Sequence, residues 1–153
     1  MVNLSTGTIW RKNTRDVTVD INVLLDVFEQ RQPHFAESAR VVSMVTAGIL
    51  TGVMPAHGLT TIYYLVRKHE SKPDAEASVD RVMRHFQIGN LDAVAWSRAR
   101  QLPLDDFEDA AVATVAEVTG SAFIITRNVG DFAGSSVRAI TPADFLSQFA
   151  PAP

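Results

Sequence analysis

Residues 17–31 read VTVDINVLLDVFEQR, and a change of period inside this stretch decides the fold. Val17 to Asp20 alternate apolar and polar side chains, as a strand does. From Ile21 onward apolar residues recur at three- and four-residue intervals, as in a helix. A strand running straight into a helix, with Asp20 at the crest of the turn, is the first half of a β–α unit. Working outward, Pro33 breaks the helix, and residues 34–50 (HFAESARVVSMVTAGIL) carry Phe35, Ala39, Val42, Val45 and Ile49 along a second one. GVMPA (52–56) reads as a buried strand, and the next helix (57–70) aligns Leu59, Ile62, Tyr63 and Val66 on one face.

The alternation continues to the end of the chain. Pro73 opens a helix whose Val79, Val82, Met83 and Phe86 are expected to face inward. QIGNLD (87–92) is a short edge-strand candidate, and the helix of residues 92–103 stops at Pro103. DDFEDAAVATVAEVTG (105–120) gives a helix ending at Gly120, SAFIIT (121–126) a buried strand, VRAIT (137–141) a last strand and PADFLSQF (142–149) a closing helix. Strands alternating with helices imply an α/β fold, a three-layer α/β/α sandwich around a short parallel sheet. Residues 1–16 are expected to be an N-terminal extension, with Trp10, Arg11, Lys12 and Arg15 either packed on or free of a single domain spanning 17–150.

Composition narrows the function classes. The 153 residues are 46% hydrophobic and 20% charged, which fits one domain with a sizeable core. Cysteine is absent, so disulfides, thiolate zinc sites and a cysteine nucleophile are excluded. The opening residues lack the apolar segment of a secretory signal and no apolar run reaches membrane-spanning length, so a soluble, cytoplasmic protein with no membrane partner is expected. A net charge of −3 and a pI near 5.7 argue against standing electrostatic adhesion to nucleic acid.

The chemistry-bearing residues are acids. Asp20 and Asp131 follow two strand candidates, and in open parallel sheets functional groups gather beyond the carboxyl ends of the strands. Asp106 and Asp109 are spaced i,i+3, which places their carboxylates one turn apart on one helical face. Two carboxylates ~4 Å apart repel by about 4 kcal/mol at an effective dielectric near 20, so a close cluster requires protons or a cation. Hard oxygen donors suit Mg²⁺ or Mn²⁺, whereas the scattered His34, His57, His69 and His85 fit zinc poorly. Taken singly, each acid has a plainer reading: Asp105 with Glu108 has capping-box spacing, Asp20 could end a strand, and Asp131 could cap a turn. Asn22, Thr126 and Asn128 lie beside the acids as supporting groups, and Arg127 is either a phosphate partner or a solvated cation.

The combination DINVLLD (20–26), AHGLTTIYYLVRK (56–68), DFEDA (106–110) and ITRNVGDF (125–132) resembles the PIN-domain family, in the branch close to VapC-type toxins of toxin–antitoxin pairs. The resemblance covers roughly Val17 to Phe149. It implies a metal-dependent ribonuclease in which Asp20, Asp109 and Asp131 hold Mg²⁺ or Mn²⁺, supported by Asn22 and Thr126. It also implies an RNA substrate, a cognate antitoxin and frequently a homodimer. One departure stands out: many family members carry Glu where this chain has Thr61, and Asp106 is the candidate to replace that charge. Two rivals follow, a degenerate PIN module that binds RNA or a protein without cutting, and a phosphotransferase with Asp20 as nucleophile. His57 lies near the same cleft in this reading, with a satisfied polar role the more common one.

Overall fold

The computed structural model describes residues 15–150. The stretch that switches period forms strand β1 (Asp16–Val19) and helix α1 (Ile21–Phe28), with Asp20 the one residue between them. The strand therefore starts one residue before the VTVD reading, and Trp10, Arg11 and Lys12 lie outside the described residues. There follow α2 (Phe35–Thr46), β2 (Thr51–Pro55), α3 (Gly58–His69), α4 (Lys72–His85), β3 (Gln87–Gly89) and α5 (Ala93–Gln101). The chain closes with α6 (Phe107–Val118), β4 (Phe123–Ile125), a 3₁₀ turn (Val129–Phe132), β5 (Arg138–Ile140) and α7 (Pro142–Phe149).

The strands form one parallel sheet in the order β3-β2-β1-β4-β5, so QIG is an edge strand as its sequence suggests. β1 is central, pairing Val17 with Gly52 on one side and with Phe123 on the other. Alternation along β4 divides the core: Phe123 and Ile125 join the side chains of α1, α2, α3 and α7, while Ile124 joins Val112, Ala113 and Ala116 of α6. Helices thus cover both faces, giving the expected three layers. α5 packs on α6, where Arg98 reaches Glu117 at 2.7 Å.

Two residues picked out by apolar spacing do not pack inward. α2 ends at Thr46, so Ile49 falls beyond its buried line of Ser38, Val41, Val42 and Val45 and is 46% exposed. In α4 the inward line is Ala75, Ser78 and Val82; Met83, one step further round, is 51% exposed.

Two glycines set how closely the segments around Asp20 approach. A Cβ on Gly58 would fall 2.3 Å from Met54 Cε and 2.7 Å from Ile21 Cγ1, so the start of α3 lies hard against the start of α1. A Cβ on Gly134 would fall 2.4 Å from the Pro103 carbonyl oxygen, which holds the chain after the 3₁₀ turn against the segment leading into α6. Because that second obstacle is backbone, Gly134→Val should lower the free energy of unfolding by about 1–3 kcal/mol in urea titrations. An unchanged midpoint would show that the two segments can separate freely.

Candidate active site

Beyond the carboxyl ends of β1 and β4 lies a cleft of about 580 Å³. Its lining includes Asp20, Asn22, Thr61, Asn128 and Asp131 together with Asp105, Asp106, Glu108 and Asp109 from the start of α6. All four acids expected from sequence meet here. Asp105 and Glu108 bring the carboxylates in the lining to six, and among the described residues no Lys, Arg or His lines the cleft.

Asp20 is the buried anchor, 8% exposed. Its backbone N–H donates to Ile125 O at 2.9 Å, extending the β1–β4 ladder by one bond, and its Oδ2 accepts from Thr126 Oγ1 at 2.8 Å. That same hydroxyl accepts from Asn128 N–H at 3.1 Å and from Asn22 Nδ2 at 3.5 Å. Three of the supporting residues therefore meet at one oxygen atom. Thr126 is fully buried and serves a carboxylate, whereas Asn128 is exposed at the cleft. Asn22 Oδ1 is buried with no donor among the described residues, which leaves a further hard oxygen on a cleft residue.

The acids of α6 take a different register from the expected one. Asp106, not Asp105, is the N-cap: its Oδ1 accepts from Asp109 N–H at 3.0 Å. The helix begins at Phe107, whose ring packs 5.7 Å from that of Trp96. Asp106 and Asp109 are thus N-cap and N3, adjacent as the i,i+3 spacing required, with Asp106 both capping and lining the cleft. Asp105 and Glu108, read as a capping box, are cleft residues instead. The clue was present in DDFED, where four acids in five positions exceed what a cap needs.

Thr60 and Thr61 divide their roles. Thr60 Oγ1 donates back to His57 O at 3.3 Å, and Thr61 lines the cleft. His57 is not a satisfied polar histidine: its ring lies edge-on to Trp96 at 5.9 Å and its buried Nε2 has no partner among the described residues. Burial lowers its pKa, opposed by the nearby Asp20 carboxylate. Arg127 points away from the cleft and pairs with Asp26 at 3.0 Å, so it is neither a phosphate partner there nor a solvated cation.

The electrostatics follow from crowding like charges. Burial raises the pKa of Asp20, with Thr126 and the backbone at Ile21 pulling the other way. Asp109 is pushed up to about 7, first by burial and then by Asp106, Asp20, Asp131 and Glu108. Among the described residues no three His, Cys, Asp or Glu side chains form a ready-made ion site, so the acids share one field without closing on a centre. The donor set still fits a hard divalent cation: carboxylates, carboxamides and a hydroxyl, with excess negative charge and an orphaned amide oxygen.

Because the folded protein holds the Asp109 proton up to about pH 7 while an unfolded chain releases it near 3.8, the fold binds more protons between those values. Stability from this group is full below about pH 4 and is lost as pH rises through about 7. Asp109→Asn should therefore raise the melting temperature of metal-free protein at pH 8, with the gain shrinking toward zero by pH 4. A gain independent of pH would contradict the charge crowding.

Residues 16–130 match the sequence profile of the PIN domain family. Ribonuclease VapC1 of Aquifex aeolicus (strain VF5) is 22% identical over 142 residues, spanning 90% of this chain and 97% of that protein. In structure, the chain is similar to DNA-bound VapBC from Salmonella typhimurium, with a TM-score of 0.64, 15% identity and coverage of 83% of this chain and 98% of the other. It is also similar to VapC20 of Mycobacterium tuberculosis, a toxin described as cleaving the sarcin-ricin loop, at a TM-score of 0.58, 14% identity and coverage of 71% and 86%. The profile match spans most of the chain and the solved structures share its three-layer architecture. The chain belongs to the PIN domain family.

Proposed function

We propose that this protein is a Mg²⁺- or Mn²⁺-dependent endoribonuclease acting as the toxin of a toxin–antitoxin pair. The observation that carries the reading is the set of carboxylates at the sheet's carboxyl edge, crowded enough to push Asp109 up to about 7, in a cleft that no described Lys, Arg or His lines. Support for RNA as the substrate comes from the likeness to ribonuclease VapC1, and support for an antitoxin partner from the likeness to VapBC complexes.

In this reading Asp20, Asp109 and Asp131 hold the ion, and Asp106 contributes the charge that Thr61 does not. A bound divalent cation supplies charge neutralisation at the phosphodiester and lowers the pKa of an attacking water. The rest falls to the protein. Thr126 fixes the rotamer of Asp20 through the 2.8 Å hydrogen bond, Asn22 braces Thr126, and Asn128 offers its carboxamide to the RNA backbone at the mouth of the cleft. Asp131, exposed on the 3₁₀ turn, forms the outer edge of the donor set. No covalent intermediate forms. The same acidic cleft suits an antitoxin segment carrying arginine, with the toxin working as a homodimer in the cytoplasm. No helix among the described residues is long and apolar enough to cross a membrane.

A panel of structured and single-stranded RNAs incubated with Mg²⁺ or Mn²⁺ tests the reading. Products should appear with metal, vanish with EDTA, and fall by about a hundredfold or more in Asp109→Asn, equivalent to ~2.7 kcal/mol of transition-state stabilisation. Asp106→Asn should also lose activity if it stands in for the missing acid. Full activity in EDTA or in Asp109→Asn would reject the mechanism. Folded protein that binds RNA equally with or without metal, and yields no products, would establish the degenerate module.

A further inference from the structure

Asp26 and Arg127 both sit inside the sequence motifs of the acidic site, yet neither lines the cleft. Asp26 is fully buried on α1. Its Oδ2 lies 3.0 Å from Arg127 Nε and accepts from Ser38 Oγ of α2 at 3.0 Å, while Oδ1 has no partner among the described residues. The Arg127 Nε–H is not aligned for a hydrogen bond, so the contact is an ion pair held by charge rather than direction. A carboxylate this deep depends on its one cation.

Arg127 stands in the bend between Thr126 and Asn128, just beyond the end of β4. Thr126 is gripped by Asp20 on one side, and Arg127 by Asp26 on the other. Asp20 and Asp26 of the β1–α1 unit thus hold consecutive residues of the segment that leads from β4 to Asp131.

We infer that Arg127 is a positioning residue: through Asp26 it orients the turn that carries Thr126, Asn128 and Asp131 toward Asp20. The inference deepens the proposed function and rests on it for what the acids hold. The order of the turn itself is a separate matter, because it is set without any ion.

The test uses Asp26→Asn/Arg127→Met, which removes both charges together, since Arg127→Met alone leaves a buried anion that can unfold the protein. Hydrogen exchange on metal-free protein reads the N–H groups of Asn128, bonded to Thr126 Oγ1, and of Asp131, bonded to Asn128 O. Both should exchange about tenfold faster or more in the double variant while β1 amides keep their protection, and calorimetric Mn²⁺ affinity should fall by about tenfold or more. Arg127→Lys, which keeps the charge, should return both readings most of the way to wild type. Unchanged exchange at Asn128 and Asp131 would overturn the inference, and so would faster exchange with full Mn²⁺ affinity. Failure of wild type itself to bind Mn²⁺ would sink the metal reading, and exchange in the double variant would still decide whether Arg127 orders the turn.

Discussion

Val19 of β1 pairs with Ile125 of β4, and the next residue on each strand is Asp20 and Thr126. That single register brings a carboxylate and a hydroxyl from opposite ends of the chain to 2.8 Å, and the Asp20 N–H donates to Ile125 O to lock it. A slip of one residue would turn Thr126 to the other face and leave a buried anion without its donor. The cleft depends on this pairing. Gly58 lets α3 close on the side chains of Met54 and Ile21, and Gly134 lets the chain close on the Pro103 backbone ahead of α6, with Thr61 and the α6 acids at the same edge.

Bringing carboxylates together raises the energy of the folded state unless something neutral or positive joins them. The sheet topology overrides that cost, because hydrophobic burial on both faces fixes where the strand ends lie. Asp109 then remains protonated to about pH 7, placing its titration in the physiological range. On the proposed reading, a bound cation would relieve this crowding of like charge. Fold and chemistry are linked here through repulsion rather than attraction.

The architecture and the meeting of Asp20, Asp106, Asp109 and Asp131 in one cleft were legible in the sequence because both depend on period and spacing. The VTVD-to-INVLLD switch placed Asp20 correctly, and the FIIT run placed Thr126 and Asp131. What stayed hidden depended on single contacts across the fold. The cap of α6 is Asp106 rather than Asp105, and Asp105 and Glu108 line the cleft. Arg127 read as a phosphate partner or a solvated cation beside the acids, but it pairs with the buried Asp26 of α1, a contact that local spacing does not reveal. Ile49 was misjudged because apolar spacing does not mark where a helix stops, and Met83 because it stands one step round α4 from the buried line.

The most direct test of the central claim, that these acids form a divalent-cation site, is anomalous scattering from crystals of the protein soaked in Mn²⁺ near pH 8. A peak within about 2.3 Å of oxygens from Asp20 and Asp109 is the predicted result, a distance typical of hard cation–oxygen ligation. An open cleft with no peak at millimolar Mn²⁺ would contradict it.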